Sequence, residues 1–265
     1  MTADDDDDRQ IGRILGRREM LALIGGAGVV LLAECAPVTS SAGTIAPSAA
    51  VGGPATASPS APAQATTLPS CIVRPALTEG PYFVDEKLNR SDIRSDPSNG
   101  SVRPGVLLAL TFAVARVSGG SCAALGGATI DVWHCDALGV YSDAADAGFN
   151  TKGQRFLRGY QTTDAAGRAS FATIYPGWYQ GRAVHIHFKI RVAAASGPSS
   201  EFTSQLFFDE SINDQVFALA PYSQKSGMRL RNSGDGIYRD GGEKLLVAPA
   251  KTAAGYSVTF DIGIA

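Results

Sequence analysis

The chain has 265 residues, 45% of them apolar and 18% charged, which is ordinary for a soluble globular protein and enough for one substantial core. Lys and Arg number 23 against 25 Asp and Glu, a formal charge of -2, so no basic field exists to attract nucleic acid or anionic lipid, and small-molecule chemistry is the better expectation. The 30 Gly and 14 Pro favour strands joined by tight turns over a helical bundle.

An address is expected before the fold. Arg17-Arg18 precede the apolar run from Met20 to Ala33, too short to span a bilayer comfortably but suited to the core of a signal peptide. With Glu19-Met20-Leu21 following, the pair is similar to a twin-arginine signal, a route for proteins that fold, often around a cofactor, before crossing the membrane. Residues 1–35 are therefore expected to be an export signal, and the protein to be extracellular, cell-surface or periplasmic. The acidic run Asp4 to Asp8 reads as a solvated tail. Leu32-Ala33-Glu34-Cys35 resembles the end of a lipoprotein signal, but Glu34 stands where such signals carry a small residue. A membrane tether follows only if Cys35 is lipidated. Residues 36–70 are nearly all Ala, Pro, Ser, Thr and Gly, too poor in large apolar side chains to offset the entropy of ordering, and read as a disordered linker.

The folded domain is expected over 71–265. Its three cysteines, Cys71, Cys122 and Cys135, permit one disulfide in an exported protein and leave one thiol over, with the pairing open. No CxxC occurs, which argues against a zinc ribbon or a thioredoxin-like redox site. The run from Gly105 to Val117 is rich in strand formers and ends in the turn residues Ser118-Gly119-Gly120-Ser121. Ala128 to His134 alternates small or polar with large apolar residues and predicts a second strand. Phe156 to Gln161 and Arg168 to Ile174 flank Thr162-Thr163-Asp164-Ala165-Ala166-Gly167, the composition of a hairpin. Ala183 to Val192, Phe202 to Phe208 and Tyr256 to Ile262 predict three more strands. Ile212 to Leu219, capped by Ser211 or Asn213 and stopped near Pro221, is the best helix candidate. The expected fold is all-β, a β-sandwich with long loops and little helix.

Two of only three histidines form His185-Ile186-His187. On a strand, residues two apart share a face, so both imidazoles can converge on one point. That is metal-ligand geometry, although the spacing alone leaves a hydrogen-bonded pair equally open. A third ligand is not obvious among carboxylates; the remaining histidine lies upstream in His134-Cys135-Asp136. Tyr179, in Tyr175-Pro176-Gly177-Trp178-Tyr179, stands just before the histidine strand, and a phenolate is a hard oxygen donor.

At these residues the chain resembles the intradiol ring-cleavage dioxygenases. Thr78-Glu79-Gly80-Pro81-Tyr82, Asp131 to Ala137 with Gly139-Val140-Tyr141-Ser142, Pro176 to Tyr179 leading to Arg182 through Phe188, and Ser204 to Phe208 are similar to segments of that family and run in family order. The resemblance covers essentially all of 71–265 and implies the catalytic sandwich of that family. It implies one Fe(III) per chain, held by Tyr141, Tyr179, His185 and His187, with Tyr179 and His187 axial, Tyr141 and His185 equatorial, and hydroxide in a fifth position. Two phenolates and hydroxide would balance the ferric charge in a buried site. The implied reaction takes a catechol and O2 and opens the ring between the hydroxyl-bearing carbons to a cis,cis-muconate-type diacid. The hydroxide and the freed Tyr179 phenolate would receive the catechol protons. By the same resemblance Arg182 would stabilise negative charge on the ring, Gln205 would orient substrate, and Gly80, Pro81, Tyr82 and Trp178 would line the pocket. Trp133 is assigned to packing and His134 to a structural hydrogen bond.

The helical N-terminal region through which cytoplasmic catechol dioxygenases dimerise has no counterpart here, so a homo-oligomer is left open, as is the choice among catechol, protocatechuate, hydroxyquinol and lignin-derived catechols. Three other functions compete. A non-catalytic exported sandwich could hold catecholates without turnover, a cupin-like ferrous enzyme could use the two histidines without the tyrosines, and a stalked structural domain would bind no metal.

Overall fold

β1 (Leu107–Ser118) is the spine of the first sheet. Leu108, Leu110, Phe112 and Val114 alternate along it and are buried, as a strand with one face on a core requires. The computed structural model describes residues 72–194 and 199–265; the expected export signal, the linker, Cys35 and Cys71 lie outside them. β2 (Ser121–Ala124) returns antiparallel on the last four residues of β1. β3 (Thr129–Trp133) begins the second sheet, β4 (Ala145–Asp146) and β5 (Phe149–Asn150) form a small separate hairpin, and β6 (Arg158–Thr162) pairs antiparallel with β3.

β7 (Arg168–Ile174) pairs with β1 and not with β6. The expected hairpin is therefore a corner between the two sheets. Asp164 Oδ1 accepts from the amides of Ala166 and Arg168, and Gly167, at φ +74°, gives its carbonyl to Val114 N at 2.8 Å, which feeds the chain onto the other layer. β8 (His185–Val192) and β9 (Ser200–Phe208) are antiparallel neighbours, and β8 also pairs with β3. Helix α1 (Glu210–Phe217) starts earlier than expected, because Asp209 rather than Ser211 or Asn213 is its cap, accepting from Ser211 N. After the single-turn helix α2 (Gly236–Arg239), β10 (Leu246–Val247) joins β9 in parallel, β11 (Ala250–Lys251) turns, and β12 (Gly255–Ile264) runs parallel to β1 over ten residue pairs.

The sheet orders are thus β11-β12-β1-β2, with β7 also on β1, and β10-β9-β8-β3-β6, a sandwich of two mixed sheets as expected. Phe112 and Phe260 from the first sheet meet Phe188 from the second, with Phe112 and Phe188 ring centroids 5.1 Å apart, and Phe171 packs edge-on to Phe112. Cys122 is disulfide-bonded and Cys135 is a buried free thiol, so Cys135 is the cysteine left over.

β8 is buried on both faces. Ile186, Phe188 and Ile190 enter the core, which turns His185 and His187 to the opposite side. Residues directly paired across strands share a face, and the register pairs Arg158 with Trp133, Trp133 with His187, and His187 with Gln205. One row of chemistry-bearing side chains thus crosses β6, β3, β8 and β9 on the outer face of the second sheet.

Candidate metal centre

His185 and His187 are 2% and 1% exposed, and their Nε2 atoms lie 3.0 Å apart. His185 Nδ1 donates to Ala183 O at 2.7 Å; a carbonyl only accepts, so the proton sits on Nδ1 and Nε2 is unprotonated. Burial, joined for His185 by the nearby Arg182 charge and for His187 by His185 and Arg182, holds both imidazoles well below their usual pKa and therefore neutral. The His187 ring is fixed on its sides. Trp133 stacks on it at 5.1 Å and 8°, and Gly80, at φ +70°, comes so close that a Cβ there would lie 3.1 Å from His187 Cε1.

The two tyrosines reach the histidines because their loops cross. Gly139 packs so tightly that a Cβ would lie 2.1 Å from Trp178 O, and a Cβ on Gly177 would lie 2.2 Å from Asp136 O. Only glycine fits either crossing. Asp136 Oδ1 accepts from Leu138 N and Val140 N, both at 3.0 Å, and shapes the turn that delivers Tyr141. Tyr141 is buried, its carbonyl accepts from Thr151 Oγ1 at 2.6 Å, and its hydroxyl lies 3.5 Å from His185 Nε2. The Tyr179 ring stands edge-on to Tyr141 at 5.7 Å and to His185 at 5.6 Å. Burial first, and then the neighbouring Tyr179, push the Tyr141 phenol well above its usual pKa. A cation at the point where these groups meet would favour its ionised form.

Arg182 lies beside that point. Its Nη1 donates to Tyr179 Oη at 3.4 Å, Nη2 to Gln205 Oε1 at 2.6 Å, and Nε to Asp235 Oδ2 at 2.9 Å. Gln205, fully buried, completes the chain by donating Nε2 to Thr78 O at 2.9 Å. Asp235 is 1% exposed and also accepts from the amides of Ala183, Ile237 and Tyr238. Sequence reasoning missed Asp235; its only signal was an Asp-Gly before a short apolar stretch, which reads as a cap. It also missed Arg158, which donates to Ser142 Oγ at 2.7 Å, to Ser142 O, and to Tyr82 O at 3.2 Å, tying down the segments that carry Tyr82 and Tyr141.

The expected pocket residues divide. Gly80 and Tyr82 are at the site, Tyr82 stacking on Tyr141 at 4.4 Å, and Pro81 between them is exposed. Trp178 belongs to the main core, with the Lys225 ammonium 4.7 Å from its ring centroid. Trp133, assigned to packing, does pack, but against a candidate ligand. His134 is engaged elsewhere: Nδ1 meets Cys135 O at 2.8 Å and Nε2 meets Thr173 Oγ1 at 2.7 Å. Among the described residues no group of three or more His, Cys, Asp or Glu could hold a metal, so a metal here needs the tyrosine oxygens.

Two imidazoles and two phenols are thus turned together on the outer face of a two-sheet β-sandwich. The dioxygenase family model matches residues 78–232, and the chain belongs to the intradiol ring-cleavage dioxygenase family. An intradiol ring-cleavage dioxygenase from Tetranychus urticae is 29% identical, with a TM-score of 0.62 over 73% of this chain and 94% of that one. The dioxygenase domain of a dioxygenase and carbohydrate-binding fusion from the cellulolytic bacterium Streptomyces sp. SirexAA-E is 27% identical, with a TM-score of 0.50 over 73% of this chain and 98% of that one. Comparison with curated proteins finds no significant match.

Proposed function

We propose that this protein is an Fe(III)-dependent dioxygenase that inserts both atoms of O2 into a catechol-type aromatic, between its hydroxyl-bearing carbons, and releases a cis,cis-muconate-type diacid. The observation that carries this reading is the approach of two buried, neutral imidazole nitrogens to 3.0 Å, with the Tyr141 hydroxyl 3.5 Å from one of them. Tyr141, Tyr179, His185 and His187 would hold one Fe(III) per chain. The donors fit that ion, since neutral nitrogens and phenolates bring two negative charges to a trivalent cation in a buried site. When bound, the iron would act as a Lewis acid that takes both catechol oxygens as anions and makes the ring reactive toward O2. Both oxygen atoms end in the product carboxylates, so no external reductant is consumed.

The protein's own groups divide the remaining work. Tyr179 is the half-exposed phenol of the two, and its oxygen would receive a catechol proton. Arg182 would stabilise negative charge developing on the ring, with Asp235 and Gln205 fixing its direction. Both ends of the Gln205 amide are engaged, so Gln205 acts through Arg182, as a positioning residue. Gly80, Pro81 and Tyr82 would form one wall of the pocket, with Trp178 supporting the loop of Tyr179. The pair Arg17-Arg18 before the apolar run 20–33 supports export by the twin-arginine route.

The test is oxygen uptake by the iron-loaded protein with catechol. One O2 consumed per diacid formed is expected; a tight catechol complex with no oxygen consumed would make the protein a catecholate-binding module.

A further inference from the structure

The walls of the site are unequal. His185, His187, Tyr141 and Gln205 are buried, whereas Tyr82 and Tyr179 are half-exposed and stand edge-to-face at 5.9 Å. These two rings form the mouth. The hydroxyl of Tyr82 donates to Asp146 Oδ2, and Asp146 Oδ1 accepts from Ala147 N at 2.5 Å, which fixes the carboxylate at the exposed tip of the β4–β5 hairpin. A carboxylate therefore stands at the hydroxyl end of Tyr82, whose ring stacks on Tyr141, and the Tyr82 proton is committed to it.

Nearby cations have other partners. Arg182 is paired with Asp235, Arg158 serves Ser142 and the Tyr82 carbonyl, and Lys152 donates to Asp143 O at 2.9 Å. Lys225 donates to Leu138 O at 2.5 Å and lies over Trp178.

We propose that Asp146, acting with Tyr82, sets the substrate class: catechols whose ring substituent is neutral or cationic, at the expense of catechols carrying a ring carboxylate. This rests on the reading that the site opens catechols. A carboxylate entering past Tyr82 meets a like charge at Asp146, and like charges brought together oppose binding. An ammonium-bearing side chain meets the same carboxylate as an attractive partner.

The experiment uses the iron-loaded full chain and three substrates: catechol, 3,4-dihydroxybenzoate and 4-(2-aminoethyl)catechol. Values of kcat/KM are compared with anaerobic dissociation constants read from the change in visible absorbance. At low ionic strength the ammonium compound is expected to be favoured over the carboxylate by about tenfold or more in both quantities. Asp146→Asn should shrink that ratio by at least about threefold, and added salt should shrink it in the unmodified protein, because the carboxylate is exposed. A carboxylate compound bound as well as the ammonium one, or a ratio indifferent to Asp146→Asn, overturns the proposal. So does a preference that moves only with Lys225→Ala, which would put selectivity on that ammonium. Failure of all three catechols to turn over, with the binding order as expected, would contradict the catalytic reading and leave the charge selectivity standing.

Discussion

His187 is held by its neighbours more than by hydrogen bonds. Trp133 lies flat against it, Gly80 crowds Cε1, and its Nδ1 is buried without a hydrogen-bond partner among the described residues. Gly80→Ala should therefore act twice. A left-handed backbone costs a residue with a Cβ about 1–2 kcal/mol, and the methyl would press the ring out of line. The protein is expected to fold with a lowered thermal midpoint and to bind less iron than the unmodified chain, as metal analysis of purified protein would show; full iron content would mean the ring is free to adjust. The two histidines were legible at this scale, because a period of two puts them on one face of any strand. Tyr179 was suggested by its place just before the histidine strand, whereas Tyr141 was not legible by spacing, since loop residues carry no period, and entered through the resemblance alone. Asp235 was hidden because its partner Arg182 is 53 residues away, and no local pattern encodes such a contact.

At the scale of elements, the site depends on two loops passing closer than any side chain allows. The loop from β3 to Tyr141 and the loop from β7 to Tyr179 cross at Gly139 and Gly177, each with a backbone carbonyl where a Cβ would stand. Gly139→Ala is expected to separate the tyrosines. Its φ of +86° adds strain to the clash, so we predict stability lowered by more than about 2 kcal/mol in denaturant titration and loss of any tyrosinate colour after iron loading. Retention of both would mean that the crossing does not position the phenols. Strands were readable from alternation, and β7 has the bounds its composition suggested. The connection from β6 to β7 was misread, because Asp164 and Gly167 make the same tight turn whether the next strand pairs with the last or crosses to the other sheet. Pairing is decided by which layer each strand's apolar face must cover, a tertiary choice. The start of α1 was set too late because Asp209, whose carboxylate caps it, ends the strand run that precedes it.

For the whole molecule, the sandwich separates stability from chemistry across the thickness of one strand. β8 turns Ile186, Phe188 and Ile190 into the core and His185 and His187 outward. Phe188 touches Phe112, Phe202 and Phe260, so Phe188→Ala should cost about 3–5 kcal/mol, measured by urea denaturation, with activity per folded molecule reduced much less than stability. A variant as stable as the parent would show that this core relaxes around the cavity. The fold class was legible from composition and strand spacing, since Gly- and Asp-rich turns between short apolar runs permit few other architectures. The meeting of residues from the 78–82 segment, two loops and two strands at one point was legible only as the family order of motifs, and the part played by Asp235 at the start of α2 was not legible at all.

The ligand set is the central claim, and a visible spectrum of the iron-loaded protein, before and after anaerobic catechol, tests it most directly. A burgundy tyrosinate-to-Fe(III) charge-transfer band that moves to longer wavelength with catechol, weakened or shifted by Tyr179→Phe and absent with the iron in His185→Ala, is the predicted result. Iron bound without colour would mean that the tyrosine oxygens are not ligands, and would contradict the account.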